Sequence, residues 1–216
     1  RMVAEPLGRQ IGQSVVVENR GGAGGTLAAG AAARSEPDGH TLLLTSSAQS
    51  GMTWLYRTLP FDPVKDFSGV TPLAELPQVL VVPVQRNWGA LKDLIAAAKA
   101  KPGALSYGTA GNGTPPHMTG ELFKAYTGVN IQHIPYKGGA PAILDLVAGQ
   151  IPIMFDNLPP LLPHVRAGRI KPLAVTSLQR ISVLPDVPTL HELGLKDFDA
   201  VGWNGLLAPA GTPREI

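Results

Sequence analysis

The chain has 216 residues, 44% of them hydrophobic, which is enough to bury a core in one or two lobes and unlike a disordered composition. Eighteen basic against sixteen acidic residues leave a formal charge of +2, and the Lys and Arg are scattered, so the basic stripe of a nucleic-acid groove is missing. The absence of cysteine excludes disulfides, iron-sulfur ligation and thiol catalysis, and no apolar run approaches the roughly 20 residues needed to span a bilayer, so no stable membrane insertion is expected.

Taken in order, RMVAEPLGRQIG reads as the tail of a helix closing at Gly12, and SVVVENR as a strand. A glycine turn, GGAGG, leads into the alanine-rich TLAAGAAARS. DGHTLLLTS is the next strand, followed by a short helix near Met52 to Tyr56. After the proline-punctuated LPFDPVKDF, GVTPLAEL and QVLVVPV read as two strands that pair or cross between lobes, the second ending at Pro83. Leu91, Leu94, Ile95 and Ala98 give a helix one apolar face, stopped by Lys101, Pro102 and Gly103.

Strand and helix then alternate: ALSYGTA and a helix after Thr114, NIQHIPY and a helix over about 140–148, QIPIMFD and a helix after Asn157, then IKPLAVTS. Short buried strands joined by helices of about ten residues predict parallel sheets with right-handed crossovers. Ligands of such sheets sit beyond the carboxyl ends of the strands, at 45–49, 109–114, 135–139, 155–157 and 176–177 here. The chain stops at GTPREI, where a Thr-Pro helix start is expected, and it begins inside a helix; a fragment of a longer protein is expected.

YGTAGNGTPPHMTGE, residues 107–121, compresses a strand end, a glycine turn and a helix start into fifteen residues. Gly108, Gly111 and Gly113 permit a tight turn, with Asn112 between the last two; Thr114 is placed to cap a helix opening with Pro115 and Pro116, and His117 is its third residue. Unpaired N–H groups and the positive end of the macrodipole favour a carboxylate or phosphate there. The plainer alternative is a turn with a well-capped helix.

GGAGG lacks the Lys-Ser/Thr of a P-loop and the acidic partner of a dinucleotide site, so it reads as structural. His40, His117, His133, His164 and His191 show no metal-ligand spacing, and no metal or cofactor is expected. A hydrolytic enzyme built on Ser46 or Ser47, His117 and Asp156 is the rival, although neither serine lies in a GxSxG elbow. Asp156, in IPIMFDNLPP, reads as helping to cap the next helix, or else as a carboxylate on a cleft rim. Tyr136, Lys137, Gly138 and Gly139 open another helix, where the backbone and the Tyr136 hydroxyl are preferred to the Lys137 ammonium as ligand donors.

Five ordered blocks, VVVENRGGAGGTLAAGAAARSEPDGHTLLLTS, LPFDPVKDFSGVTPLAELP, YGTAGNGTPPHMTGELF, IPYKGGAPAILDLVAGQIPIMFDNLP and VGWNGLLAPAGTP, resemble the solute-binding proteins of tripartite tricarboxylate transporters, the Bug family. The resemblance covers nearly the whole chain. It implies a periplasmic, two-lobed type II binding protein, each lobe a largely parallel sheet flanked by helices, that delivers a small carboxylate to membrane subunits without catalysis. The expected ligand is a di- or tricarboxylate, aromatic acid or acidic amino acid, and the expected state a monomer. Lobe one is expected at 1–84 plus 200–216, lobe two at 85–199.

By the same resemblance, Gly111, Gly113, Thr114 and His117 hold a ligand carboxylate, Thr45, Ser46, Ser47 and Ala48 approach from the opposite lobe, Asp156 faces the cleft, and Trp203 covers the ligand. Asn112 and Tyr136 are expected beside them among the ligand-binding residues. The family's first carboxylate loop would fall before Arg1 and its last helices after Ile216. Residues 49–54 replace an Asn-Pro common at that point.

Overall fold

The computed structural model describes residues 2–216; Arg1, counted with lobe one above, lies outside them. In chain order the helices are α1 (Ala4–Ile11), α2 (Thr26–Ala33), α3 (Ala48–Leu55), α4 (Leu91–Ala100), α5 (Pro115–Thr127), α6 (Gly139–Val147) and α7 (Leu158–Arg166). The strands are β1 (Leu43–Ser46), β2 (Phe67–Pro83), β3 (Leu105–Thr109), β4 (Ile131–Pro135), β5 (Ile153–Asn157), β6 (Ile170–Val175) and β7 (Val201–Pro209). They run in the order β1-β7-β2-β5-β3-β4, with β6 also paired to β2.

β2 organises this arrangement. Phe67 to Pro77 pair with β7, while Gln78 to Val81 pair with β5 and Val79 to Pro83 with β6. One continuous strand therefore stands where two were expected. Pro72 lies at the second of two register shifts, between Gly69 and Thr71 and between Pro72 and Ala74, where a missing N–H is tolerated, and Pro77, between the two expected strands, pairs in register with Val201. The strand changes character at the crossing: its first half is largely exposed, whereas Val79, Leu80, Val81 and Val82 are all within 1% of complete burial.

Around the second half lie two apolar layers. Leu80, Leu94, Tyr107, Phe123, Phe155 and Phe198 form one, and Val79, Val81, Ile143, Leu146, Met154 and Leu161 the other. Residues alternating along β2 and β5 thus feed opposite faces, as the period-two pleat dictates. Burying both faces explains the near-continuous apolar runs of these strands. Gly120 lets α5 lie directly on the sheet, because a methyl there would collide with the Tyr107 ring.

Strand direction corrects the sequence reading in part. β3 runs parallel to β4 and β5 as expected, but β1 and β2 pair antiparallel to β7, and β2 antiparallel to β5 and β6. The mixed α/β class stands, and so does a largely parallel sheet in the half built on β3, β4, β5 and β6, which all point one way with only β2 reversed. The β1-β7-β2 ladder is antiparallel throughout. SVVVENR is a second correction: residues 14–20 form no strand among the described residues, and Val16 is 88% exposed. Its apolar β-branched run pairs with no strand among the described residues. α1, by contrast, ends where expected, with Gly12 in the left-handed conformation (φ 69°).

Candidate functional site

The β3–α5 turn is held from several sides. Gly111 (φ 133°) and Gly113 (φ 76°) take conformations that favour glycine, and between them Asn112 is exposed. The Thr114 hydroxyl donates to the Gly111 carbonyl at 2.7 Å and the Gly111 N–H donates to Thr109 Oγ1 at 3.2 Å. From the neighbouring β4–α6 connection, Tyr136 N–H donates to Thr109 O and Gly138 N–H to Ala110 O. Thr114 occupies the cap position with extended backbone, yet its side chain makes no cap bond to the helix, which corrects the expected role. Its donor is spent on the turn.

Proline removes the next two donors. Pro115 and Pro116 carry no N–H, and those of His117 and Met118 both go to the Thr114 carbonyl, at 2.9 and 3.1 Å. Gly113 N–H donates to His117 Nδ1 at 3.2 Å. The N–H groups of Ala110 and Asn112 have no hydrogen-bond partner among the described residues; Asn112 is the exposed one, so its N–H, rather than a row of helix N–H groups, is the accessible donor of this turn.

His117 is only half of a stack. Its ring lies 4.1 Å from that of His133, which lies 5.0 Å from Tyr107, with interplanar angles of 23° and 28°. His133 Nε2 meets Thr109 Oγ1 at 2.7 Å, so both imidazoles hold the turn: His117 through Gly113, His133 through Thr109. Tyr107 donates to Glu121 at 2.6 Å, and Lys124 pairs with the same carboxylate. Burial lowers the pKa of His117 and, with the neighbouring His117, takes that of His133 down to about 4. Both rings are neutral near pH 7, as Nδ1 of His117 must be to accept from Gly113. The stacked planes do not converge on an ion, and among the described residues no group of three metal-binding side chains is found.

The opposing segment comes from β1 and α3. Thr45 Oγ1 donates to Gln49 Oε1, Ser46 Oγ accepts Ala48 N–H, and Ser47 N–H donates to Trp203 O at 2.9 Å. A methyl placed on Gly202 would sit 3.5 Å from Ser47 Oγ and 3.6 Å from Pro115 Cβ. The expected segments of the two lobes therefore approach each other over Gly202, on β7. The Trp203 indole lies against Gly205 of its own strand.

Two expected residues are turned to other work. The Tyr136 hydroxyl donates to Asp145 of α6 at 2.6 Å, and burial with this bond raises its pKa to about 12, so its proton is not free for a ligand. Asp156 is 5% exposed; one carboxyl oxygen accepts the N–H of Asn157, which itself takes the cap position of α7, so the expected Asp156 helix cap is not formed. Its other oxygen abuts Gly139, and burial raises its pKa to about 6. Gln78 and Asn157, opposite one another in register, each bury a side-chain oxygen without a partner among the described residues.

His133 and Gln78 were not picked out as ligand-site residues, and Thr109 only as the first residue of the 109–114 stretch. Tyr107 and His133 are register partners of parallel strands, a pairing that sequence spacing alone does not show. For the hydrolytic alternative, His117 bonds Gly113, Asp156 bonds Asn157 and Ser46 bonds Ala48, so these groups share no hydrogen bond among the described residues.

A family model described as "Tripartite tricarboxylate transporter family receptor" matches residues 1–216. Protein BugT of Bordetella pertussis is 39% identical over 219 residues, an alignment covering all of this chain and 67% of BugT. The structure of Rpa4515 from R. palustris with adipate superposes with a TM-score of 0.94 at 38% identity, covering all of this chain and 72% of that one. MatC from Rhodopseudomonas palustris with bound malate gives 0.92 at 33%, covering 100% and 74%. The chain spans 65% and 62% of the length of two further curated relatives, from Pseudomonas and Agrobacterium vitis.

Proposed function

The chain belongs to the tripartite tricarboxylate transporter receptor family, and from that premise we propose that it is the greater part of an extracytoplasmic receptor for a small carboxylate. The supporting observation is the β3–α5 turn: two stacked histidines and a threonine hydroxyl fix it, and its exposed Asn112 keeps an unpaired N–H. A preorganised donor loses little entropy when an anion arrives. The adipate and malate complexes of the two similar proteins point to the same ligand class.

In this reading lobe one is 1–84 plus 200–216 and lobe two 85–199, with β2 and β7 as connections. The ligand carboxylate accepts from the turn of lobe two while Ser46, Ser47 and Ala48 approach from lobe one, and the closed form is favoured by contacts the open form lacks. The receptor works in the periplasm as a monomer and hands its ligand to membrane subunits. Among the described residues no helix is long and apolar enough to cross a membrane.

Calorimetric titration with adipate, malate, benzoate, glutamate and adipamide tests the reading. At least one acid binds saturably without being consumed, and adipamide, which lacks the charge, binds at least tenfold more weakly. Equal affinity for the diamide, or no acid bound, contradicts it.

A further inference from the structure

The GGAGG turn has no phosphate-loop partners, yet its backbone is unusual. Ala23 (φ 46°), Gly24 (φ 62°) and Gly25 (φ 95°) are consecutive residues with positive φ. Ala23 is strained there, having a side chain, and the Tyr56 hydroxyl donates to its carbonyl at 2.7 Å. A brace from outside the turn thus holds a conformation that the turn's own residues do not favour.

The tip of this turn meets the β3–α5 turn. A methyl on Gly24 would lie 3.0 Å from the Asn112 carbonyl oxygen and 2.8 Å from Tyr56 Oη, and a methyl on Gly113 would lie 2.8 Å from Leu55 Cδ1. Both contacts run from the lobe-one segment to the turn proposed to hold the carboxylate. Leu55 and Tyr56 lie at the far end of α3, whose first residue is Ala48. An eight-residue helix is about 12 Å long, so α3 is a short lever with the Ser46–Ala48 segment at one end and these contacts at the other.

We propose that the GGAGG turn and the end of α3 form a latch that holds the cleft shut by packing backbone to backbone on the Gly111–Gly113 turn. Gly24, Leu55 and Tyr56 are its positioning residues. Glycine is needed at position 24 because a side chain there would press on the Asn112 carbonyl and wedge the two turns apart, whereas at Gly113 it would meet the end of the Leu55 side chain. The latch slows release of the ligand without touching it, and it deepens the carboxylate-receptor reading, on which its biological role rests.

Two measurements on the full chain test it. The first is stopped-flow release of adipate from wild type, Gly24→Ala and Leu55→Ala. Release is expected to be at least tenfold faster in Gly24→Ala and about threefold faster in Leu55→Ala, which adds no backbone strain, with association changed less than twofold. The second needs no ligand. The chain has no cysteine, so spin labels are placed at Leu27 and Met118, both exposed, and the pair distance is recorded. Wild type is expected to populate a short-distance state that Gly24→Ala depletes. Identical distance distributions, or unchanged release from both variants, overturn the latch. A depleted short-distance state in a protein that binds none of the acids upholds the latch and sinks the receptor reading instead.

Discussion

The two glycine-rich turns that meet near Asn112 look alike in sequence and are held in opposite ways. GNGTPP is pinned from its own half of the molecule, by His117, Thr109, Thr114 and the β4–α6 connection. GGAGG leans on one exposed bond, from Tyr56, and keeps four consecutive residues, Gly22 to Gly25, at positive φ. Glycine content marks a turn in both; what the turn is tied to decides whether it is a rigid donor or a part that moves against one.

The largest effect that would break this contrast is expected at His117. His117→Leu removes the acceptor of Gly113 N–H and one face of the imidazole stack, leaving a buried donor unpaired. A loss of about 1–3 kcal/mol in turn order is expected, read as roughly tenfold or greater weakening of acid binding by calorimetry. Retained affinity would show that the pinning is irrelevant to binding.

His133 sharpens the contrast through pH. Its pKa falls from 6.5 unfolded to about 4 folded, so the folded state binds fewer protons than the unfolded state between these values. Its contribution to stability is complete above pH 6.5 and is lost as pH falls toward 4. Glu121 and Lys124 on α5, His117 and Tyr107 all face it, and their opposing fields and partial solvent exposure reduce the effect to about 1–2 kcal/mol. In chemical denaturation across this window, His133→Phe is expected to show a shallower loss of stability than wild type. Equal slopes would contradict the assignment.

Thr114→Val comes next. Losing the bond to Gly111 O costs about 0.5–1.5 kcal/mol, for an expected three- to tenfold rise in Kd with the helix content unchanged by circular dichroism. Tyr56→Phe is the smallest: its bond is exposed, so a fall of less than about 1 kcal/mol in stability is expected, while ligand release accelerates about twofold. If Tyr56→Phe matched His117→Leu in its effect on affinity, the two turns would not differ in kind.

Much of this was legible in the residues because the signals are local. The strand-helix alternation, the closure of α1 at Gly12, the two glycine turns and the α5 start at Pro115 all follow from spacing and from the special conformations of Gly and Pro. What stayed hidden depends on partners far along the chain. The continuity of β2 rests on β7 absorbing two register shifts, and the isolation of SVVVENR on the lack of a pairing strand among the described residues. The His117–His133 stack follows from the parallel register of β3 and β4, and the direction of the Thr114 hydroxyl from the shape of the turn it closes. Tyr136 and Asp156 read as cleft residues because they follow strands; the structure gives the first to Asp145 and the second to Asn157.

The claim that a pinned turn offers the Asn112 N–H to a carboxylate is tested most directly by following backbone amides of the 15N-labelled chain during titration with adipate. The expected result is a saturating downfield shift of the Asn112 amide, with smaller shifts at Gly111, Gly113 and Ser46 to Ala48, all fitting the calorimetric Kd. Saturable binding that leaves the Asn112 amide unmoved would contradict it.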